Sequence, residues 1–276
     1  MQPIAVVEGI VGQGKKLGRT MGVPTANLPL PEEGKRPENG IYVAEVVFPD
    51  EGGRREEGVL SQGFHPTLPE GDPTIEVYLL NRSENLYGRR IRIEYLQYIR
   101  PEMKFDSREA LRQMMQRDIV IARGWFSRRR AGKAPLRALA GGYYKQGYNC
   151  AEALLRAVNE SWELKLPDDA LRLAAGFGGG MGCGDACGAM TGAVAGLGAL
   201  FVNDRAHQTP GFSELCAGWV EQFRRDLGSS LCAELKPKYK TAETGCLETV
   251  LRAADSFENY LLAREAQGAQ PRGEGI

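Results

Sequence analysis

Arg90-Ile91-Arg92-Ile93-Glu94-Tyr95 alternates strictly between charged and apolar side chains. A period of two is that of a strand with one wet and one dry face, so this segment reads as β rather than α. Working outward from it, residues 4–11, 41–48, 58–62 and 74–80 are short runs rich in β-branched and aromatic residues, separated by Gly, Pro and Asn clusters. Several short strands without intervening helices predict an antiparallel sandwich or a closed barrel. C-terminal to them the period changes. Asp106-Ser107-Arg108-Glu109 fits a capping box, and Leu111, Met115, Ile119 and Ala122 form an apolar stripe at helical spacing.

Residues 127–137 read as a basic, solvated linker between two domains, 1–126 and 138–265, with a polar, Gly-rich tail over 266–276. Beyond the linker the pattern is helical: 151–162, 170–175, 188–202, 214–227 and 249–262 are the expected helices, making the second domain an all-α bundle.

The chain has 276 residues, 42% hydrophobic and 25% charged, which are ordinary globular values. Thirty-five basic and thirty-five acidic side chains cancel, so bulk charge gives no case for nucleic acid as a partner. The cancellation hides a small positive excess in the first half and an equal negative one in the second. The N-terminus lacks a basic region followed by an apolar run. The uncharged stretch over 186–202 is Gly-rich and shorter than the ~20 strongly apolar residues of a membrane span. A cytoplasmic protein with no membrane contact is expected. All six cysteines lie at or beyond Cys150; in a reducing compartment such clustering points to redox or metal chemistry rather than structural staples.

Residues 9–19, rich in Gly, Lys and Arg, can bring backbone N–H groups close to phosphate oxygens, although the Walker A spacing is not satisfied. The stretch that follows is more specific. Gly18-Arg19-Thr20-Met21-Gly22-Val23-Pro24-Thr25-Ala26-Asn27 closely resembles the Gly-Arg-x-Leu-Gly-Phe-Pro-Thr-Ala-Asn signature of the riboflavin kinase (flavokinase) family. In order along the chain, Gly40-Ile41-Tyr42, Gly63-Phe64-His65-Pro66-Thr67, Glu76 with Leu86-Tyr87-Gly88, and the segment from Arg100 to Ser107 are similar to further motifs of that family.

The resemblance implies a six-stranded antiparallel barrel with a C-terminal helix. It implies transfer of the γ-phosphoryl group of ATP to riboflavin, giving FMN and ADP. By the same resemblance Gly14, Lys15, Gly18, Arg19, Thr25 and Asn27 face nucleotide and phosphate. Thr25 and Asn27 hold Mg²⁺ with ATP, neutral oxygens suiting a hard cation already bound to phosphates. Glu76 is the general base towards the ribityl hydroxyl. Arg100, Glu102 and Phe105 belong to a flap over flavin and nucleotide. This chain carries His65 where the family usually has Arg, Glu76-Val77-Tyr78 where Glu-x-His is common, and Asn81-Arg82 in place of Asp-Phe. Because the sequence starts directly with the kinase motifs, no FAD synthesis is expected. A non-catalytic module that carries flavin to a redox domain is the alternative.

In the second half, Asn149-Cys150-Ala151-Glu152 reads as a capping box with Asn149 at N-cap and Cys150 at N1. Cys187-Gly188-Ala189 also opens a helix. Helix starts favour thiolate. Gly188, Gly192 and Gly196 recur every four residues, a smooth face for close packing. These residues resemble a family of small redox-active proteins defined by Cys…Cys-Gly-Ala-x-x-Gly…Cys…Cys, whose four cysteines match Cys150, Cys187, Cys232 and Cys246. Three readings stand open: two disulfides or a dithiol relay serving a redox partner, an iron–sulfur cluster or Zn²⁺ held by four thiolates, or inert buried thiols. Cys183 and Cys216 are additional, and His207 sits in a loop and is not expected to ligate metal.

Overall fold

A computed structural model of the chain describes residues 2–14, 22–31, 36–67, 72–269 and 271. Contacts divide it into two compact units, 1–127 and 128–276.

The first unit is one six-stranded antiparallel sheet. Its strands are β1 (Ala5–Ile10), β2 (Thr25–Pro29), β3 (Gly40–Phe48), β4 (Arg54–Gly63), β5 (Thr74–Leu79) and β6 (Arg90–Arg100), in the order β1-β6-β3-β4-β5-β2. The sheet curls into a half-barrel. Its two edges approach at an isolated bridge between Gly12 and Asn27, where the Gly12 N–H donates to the Asn27 carbonyl at 2.9 Å. The expected β class and antiparallel pairing are thus observed. β2 was legible in sequence only as a motif, because Pro24 and Asn27 weaken a strand signal.

Alternation fills the inside of this sheet. Tyr42, Phe48, Leu60, Ile75, Val77, Ile91, Ile93 and Tyr95 are essentially inaccessible to solvent. The Tyr42 and Tyr95 rings meet edge-on at 5.1 Å. The Tyr95 hydroxyl donates to Gln62 Oε1 at 2.8 Å, and Gln62 Nε2 donates to the Pro37 carbonyl at 2.8 Å. The buried phenol is thereby satisfied rather than orphaned.

The alternation of β6 ends at Glu94, because from there its outer face is also covered. The cover is helix α1 (Arg108–Arg130), whose Trp125 donates to Gln97 Oε1 at 2.7 Å. The N-cap of α1 is one residue later than the sequence suggests. Ser107 Oγ accepts from the Ala110 N–H at 3.1 Å, while Glu109 pairs with Arg112 instead of closing a capping box. The helix also continues through 127–130, so the start of the expected linker is helical. Arg is a good helix former, and Arg128, Arg129 and Arg130 sit in its last turn, where the helix dipole favours cations.

The second unit contains α2 (Leu136–Lys145), α3 (Cys150–Ser161), α4 (Asp168–Arg172), α5 (Gly188–Phe201), α6 (Phe212–Leu227), α7 (Cys232–Tyr239) and α8 (Leu247–Glu265). α2 and α7 went unread in the sequence. α2 is short and interrupted by Gly141-Gly142, and α7 contains Pro237. The aromatic centre of this unit is Trp219, with Phe223, Phe257 and Tyr260 around it at centroid distances of 4.9–6.0 Å.

The glycine face of α5 packs on α3. A Cβ on Gly192 would lie 2.3 Å from the Ala151 carbonyl oxygen, and one on Gly188 would lie 2.4 Å from Cys150 Sγ. Only hydrogen fits at those two positions.

Candidate functional sites

In the first unit, β2 and β5 pair so that Asn27 stands opposite Glu76 and Thr25 opposite Tyr78. Thr25 Oγ1 donates to Glu76 Oε2 at 3.1 Å. The same Oγ1 accepts from Asn27 Nδ2 at 3.4 Å, which leaves one lone pair for a cation. Asn27 is buried, and among the described residues its Oδ1 has no hydrogen-bond partner. An uncompensated buried carbonyl oxygen is costly, so this atom fits a missing electrophile. Gly14 presses on the same carboxamide: a Cβ there would come within 2.2 Å of Asn27 Cγ and Oδ1. Neutral oxygens beside a glycine cradle are a donor set that suits Mg²⁺ arriving with nucleotide phosphates. Lys15, Gly18 and Arg19 lie outside the described residues.

Two cavities open on either side of Thr25, which lines both. One, of about 140 Å³, runs from Thr25, Glu76 and Tyr78 past His65 to Arg100, Glu102, Phe105 and the Leu111 and Met115 face of α1. The other, of about 280 Å³, lies between Val11, Pro24, Arg82, Leu86 and Tyr87. Thr25 is the residue that the two linings share.

The loop after β6 is tied down rather than loose. Glu102 accepts from the backbone N–H groups of Phe64 at 3.1 Å and His65 at 2.8 Å. Thr67 Oγ1 accepts from the Phe105 N–H at 3.1 Å.

Arg100 lines the first cavity, but its guanidinium is committed elsewhere. It reaches Asp118 on α1 through Nε at 3.0 and 3.2 Å and Nη2 at 2.7 Å. Its partner is neither Glu102 nor Glu109, the carboxylates near it in sequence. Asp118 is fully buried, and that burial pushes its carboxyl above the ordinary range despite the arginine beside it.

His65, noticed in the sequence only as a departure, is a member of this site. Its Nε2 lies 3.0 Å from Thr74 Oγ1 and 4.0 Å from Glu76 Oε1, and its Nδ1 lies 3.4 Å from Ser61 Oγ. No sequence spacing links these residues; the registers of β4 and β5 bring them together.

In the second unit, Asn149 caps α3 as expected. Its Oδ1 accepts from the N–H groups of Ala151 at 3.0 Å and Glu152 at 3.2 Å, and the Glu152 carboxylate returns to the Asn149 N–H at 3.0 Å. Cys187 is the N-cap of α5. An isolated bridge between Ala186 and Leu231 holds the Cys187 and Cys232 segments together, with the Cys187 N–H on the Ser230 carbonyl at 2.8 Å. The Cys246 N–H donates to the Tyr144 hydroxyl at 2.8 Å.

The four thiols feel one another's charge. Cys150 interacts with Cys187, Cys232 and Cys246, and Cys232 with Cys187 and Cys246. All are free. At Cys150, Cys187 and Cys246 burial works against the helix start. Burial pushes Cys187 up to about 12 and also raises Cys150 and Cys246, outweighing the backbone N–H groups of Gly179 and Ala151 at Cys150 and of Ala189 and Met190 at Cys187. Desolvation of the charged form exceeds a dipole that acts only over the first turn.

The loop beside Cys150 runs through positive φ at Gly179, Gly180, Met181, Gly182 and Gly184. Among the described residues there is no group of three or more His, Cys, Asp or Glu side chains set to hold a metal ion, so the iron–sulfur and Zn²⁺ readings have no ligand cage here. Among them, too, no helix is long and apolar enough to cross a membrane.

Comparison with known proteins gives two family matches. Residues 2–126 match the family model described as "Riboflavin kinase". Residues 148–260 match the one described as "Putative redox-active protein (C_GCAxxG_C_C)". Both resemblances noted in the sequence are therefore found. The bifunctional riboflavin kinase/FMN adenylyltransferase of Escherichia coli K12 is 38% identical over 120 residues, which are 44% of this chain and 37% of that one. The protein of the same name from Haemophilus influenzae is 35% identical over 119 residues, 43% of this chain and 38% of its own. The RNA-binding riboflavin kinase RibR of Bacillus subtilis is 34% identical over 119 residues, 42% of this chain and 49% of its own. The chain thus spans less than half the length of the curated relatives it matches.

Proposed function

We propose that the first unit is an ATP-dependent riboflavin kinase, transferring the γ-phosphoryl group of ATP to the ribityl 5′-hydroxyl of riboflavin and releasing FMN and ADP. The observation that carries this reading is Thr25 on the wall between two cavities, bonded to the only carboxylate base expected of the site, Glu76. Glu76 takes the hydroxyl proton as the ribityl oxygen bonds to the γ-phosphorus. The bond from that phosphorus to the β–γ bridging oxygen breaks, and ADP leaves with the electron pair. Thr25 Oγ1 and Asn27 Oδ1 would hold Mg²⁺, which supplies charge neutralisation between the phosphates. The apolar Leu111 and Met115 wall and the anchored loop of Glu102 and Phe105 bind the flavin ring and keep water from the transfer.

The test is incubation of the purified chain with riboflavin and Mg-ATP, with FMN and ADP followed by chromatography beside Glu76→Gln. Equimolar FMN and ADP from the unaltered chain alone supports the kinase. A chain that binds riboflavin but makes no FMN with any divalent cation is the flavin-carrying module instead.

For the second unit we infer two-electron thiol chemistry. Four free cysteines in mutual electrostatic reach can exchange with a disulfide of a partner protein: two of their thiols become one S–S bond, and the partner's disulfide becomes two thiols, with protons and electrons balanced. Such chemistry suits a cytoplasmic protein whose resting thiols are kept reduced. Titration with oxidised glutathione, counting free thiols and mapping bonds by mass spectrometry, tests it. Loss of two thiols with a bond among Cys150, Cys187, Cys232 and Cys246 supports it; four thiols that persist leave them as buried packing groups.

A further inference from the structure

We propose that His65 is a positioning residue of the transfer site, holding the Glu76 carboxylate and the Glu102 loop in one geometry; the inference rests on the kinase reading of that site. The imidazole stands between two similar pairs of groups. On the Nε2 side are Thr74 Oγ1 at 3.0 Å and Glu76 Oε1 at 4.0 Å; on the Nδ1 side are Ser61 Oγ at 3.4 Å and Glu102 Oε1 at 3.9 Å. Each ring nitrogen is thus offered a hydroxyl and a carboxylate. Glu76 is bonded at Oε2 by Thr25, and the ring stands 4.0 Å from its Oε1, within reach of a small shift but beyond a hydrogen bond.

The backbone supports a purpose-built placement. His65 has φ +52, a left-handed conformation unusual for a residue other than glycine. It is held there by the Glu102 carboxylate, which accepts both its N–H and that of Phe64. Glu102 also occupies the space a side chain at position 63 would need, within 1.9 Å of a Cβ there. Strain of this kind persists where surrounding groups over-determine it, and such places tend to be functional. The groups facing the ring from each neighbouring element are Ser61 on β4, Thr74 and Glu76 on β5, and Glu102 after β6. The nearby Arg100 cation is already taken by Asp118. A ring with nitrogens on two opposite sides therefore links two carboxylates that a one-ended amide at position 65 would leave to repel each other.

The test compares His65→Gln and His65→Arg with the unaltered full-length chain, in steady-state FMN formation with riboflavin and Mg-ATP varied separately. All three side chains meet the same left-handed backbone, so strain cancels in the comparison. A misplaced base lowers turnover by roughly 10- to 100-fold. His65→Gln is expected to lose kcat by that order with KM for ATP unchanged, and His65→Arg, whose fork presents donors to both carboxylates at once, to recover most of it. An unchanged kcat in His65→Gln overturns the inference. So does equal loss in both variants accompanied by a lower melting temperature, which would mark a packing role. Absence of FMN from the unaltered chain removes the kinase reading and this one with it, whereas an active chain and an indifferent His65→Gln removes this one alone.

Discussion

Thr25 on β2 gives its hydroxyl hydrogen to Glu76 on β5 across 3.1 Å, while Asn27, directly opposite Glu76 in the ladder, keeps a buried carbonyl oxygen with no partner among the described residues. One pair of strands thus presents a carboxylate base and two neutral oxygens on neighbouring positions. Replacing Thr25 by Val keeps the shape and removes both the donor and the cation ligand. Turnover should fall by about 100-fold or more, with the melting temperature within a few degrees of the unaltered chain, read by FMN production and thermal denaturation.

Gly14 is predicted to be intolerant for a spatial reason. A methyl group there would overlap the Asn27 carboxamide at 2.2 Å, so the side chain offering Oδ1 must turn away. Gly14→Ala should raise KM for Mg-ATP by roughly tenfold while leaving riboflavin binding, followed by quenching of flavin fluorescence, unchanged.

Arg100 and Asp118 should behave as a structural pair. Both are buried, and removing one partner strands a charge in a low-dielectric interior. Asp118→Ala is expected to cost about 3–5 kcal/mol in urea denaturation of the first unit, and Arg100→Met with Asp118→Leu together to recover most of that loss. If Arg100 instead served catalysis directly, the double variant would be stable and inactive.

The second unit should weaken in alkali. The Cys187 thiol is held at about 12 in the fold by burial, against about 8.5 for an exposed cysteine in the unfolded chain. Between those values the unfolded chain releases the proton and the folded one keeps it, so stability is full below about pH 8.5 and falls as pH rises towards 12. From pH 8.5 to 9.5 this one group should cost about 1 kcal/mol, measured as a shift of the denaturation midpoint that Cys187→Ala abolishes. Iodoacetamide should label exposed Cys183 well before Cys187.

Much of this was written locally. Strand alternation at the start of β6, the Asn149 capping box and the four-residue glycine repeat on α5 depend on periodicities of two, three and four residues, and each is found where the sequence put it. The ordered motifs around Thr25, Asn27 and Glu76 carried the resemblance to riboflavin kinases before any geometry, and the roles expected of those residues are what that resemblance implies. What needed tertiary structure was partnership and burial. Arg100 bonds Asp118, eighteen positions away on α1, rather than an acid beside it. His65 meets Glu76 and Glu102 only because β4, β5 and the loop after β6 fold side by side. Cys150 and Cys187 open helices as the sequence implied, yet burial raises both thiols, since a helix start is a local feature while desolvation is set by everything packed around the sulfur.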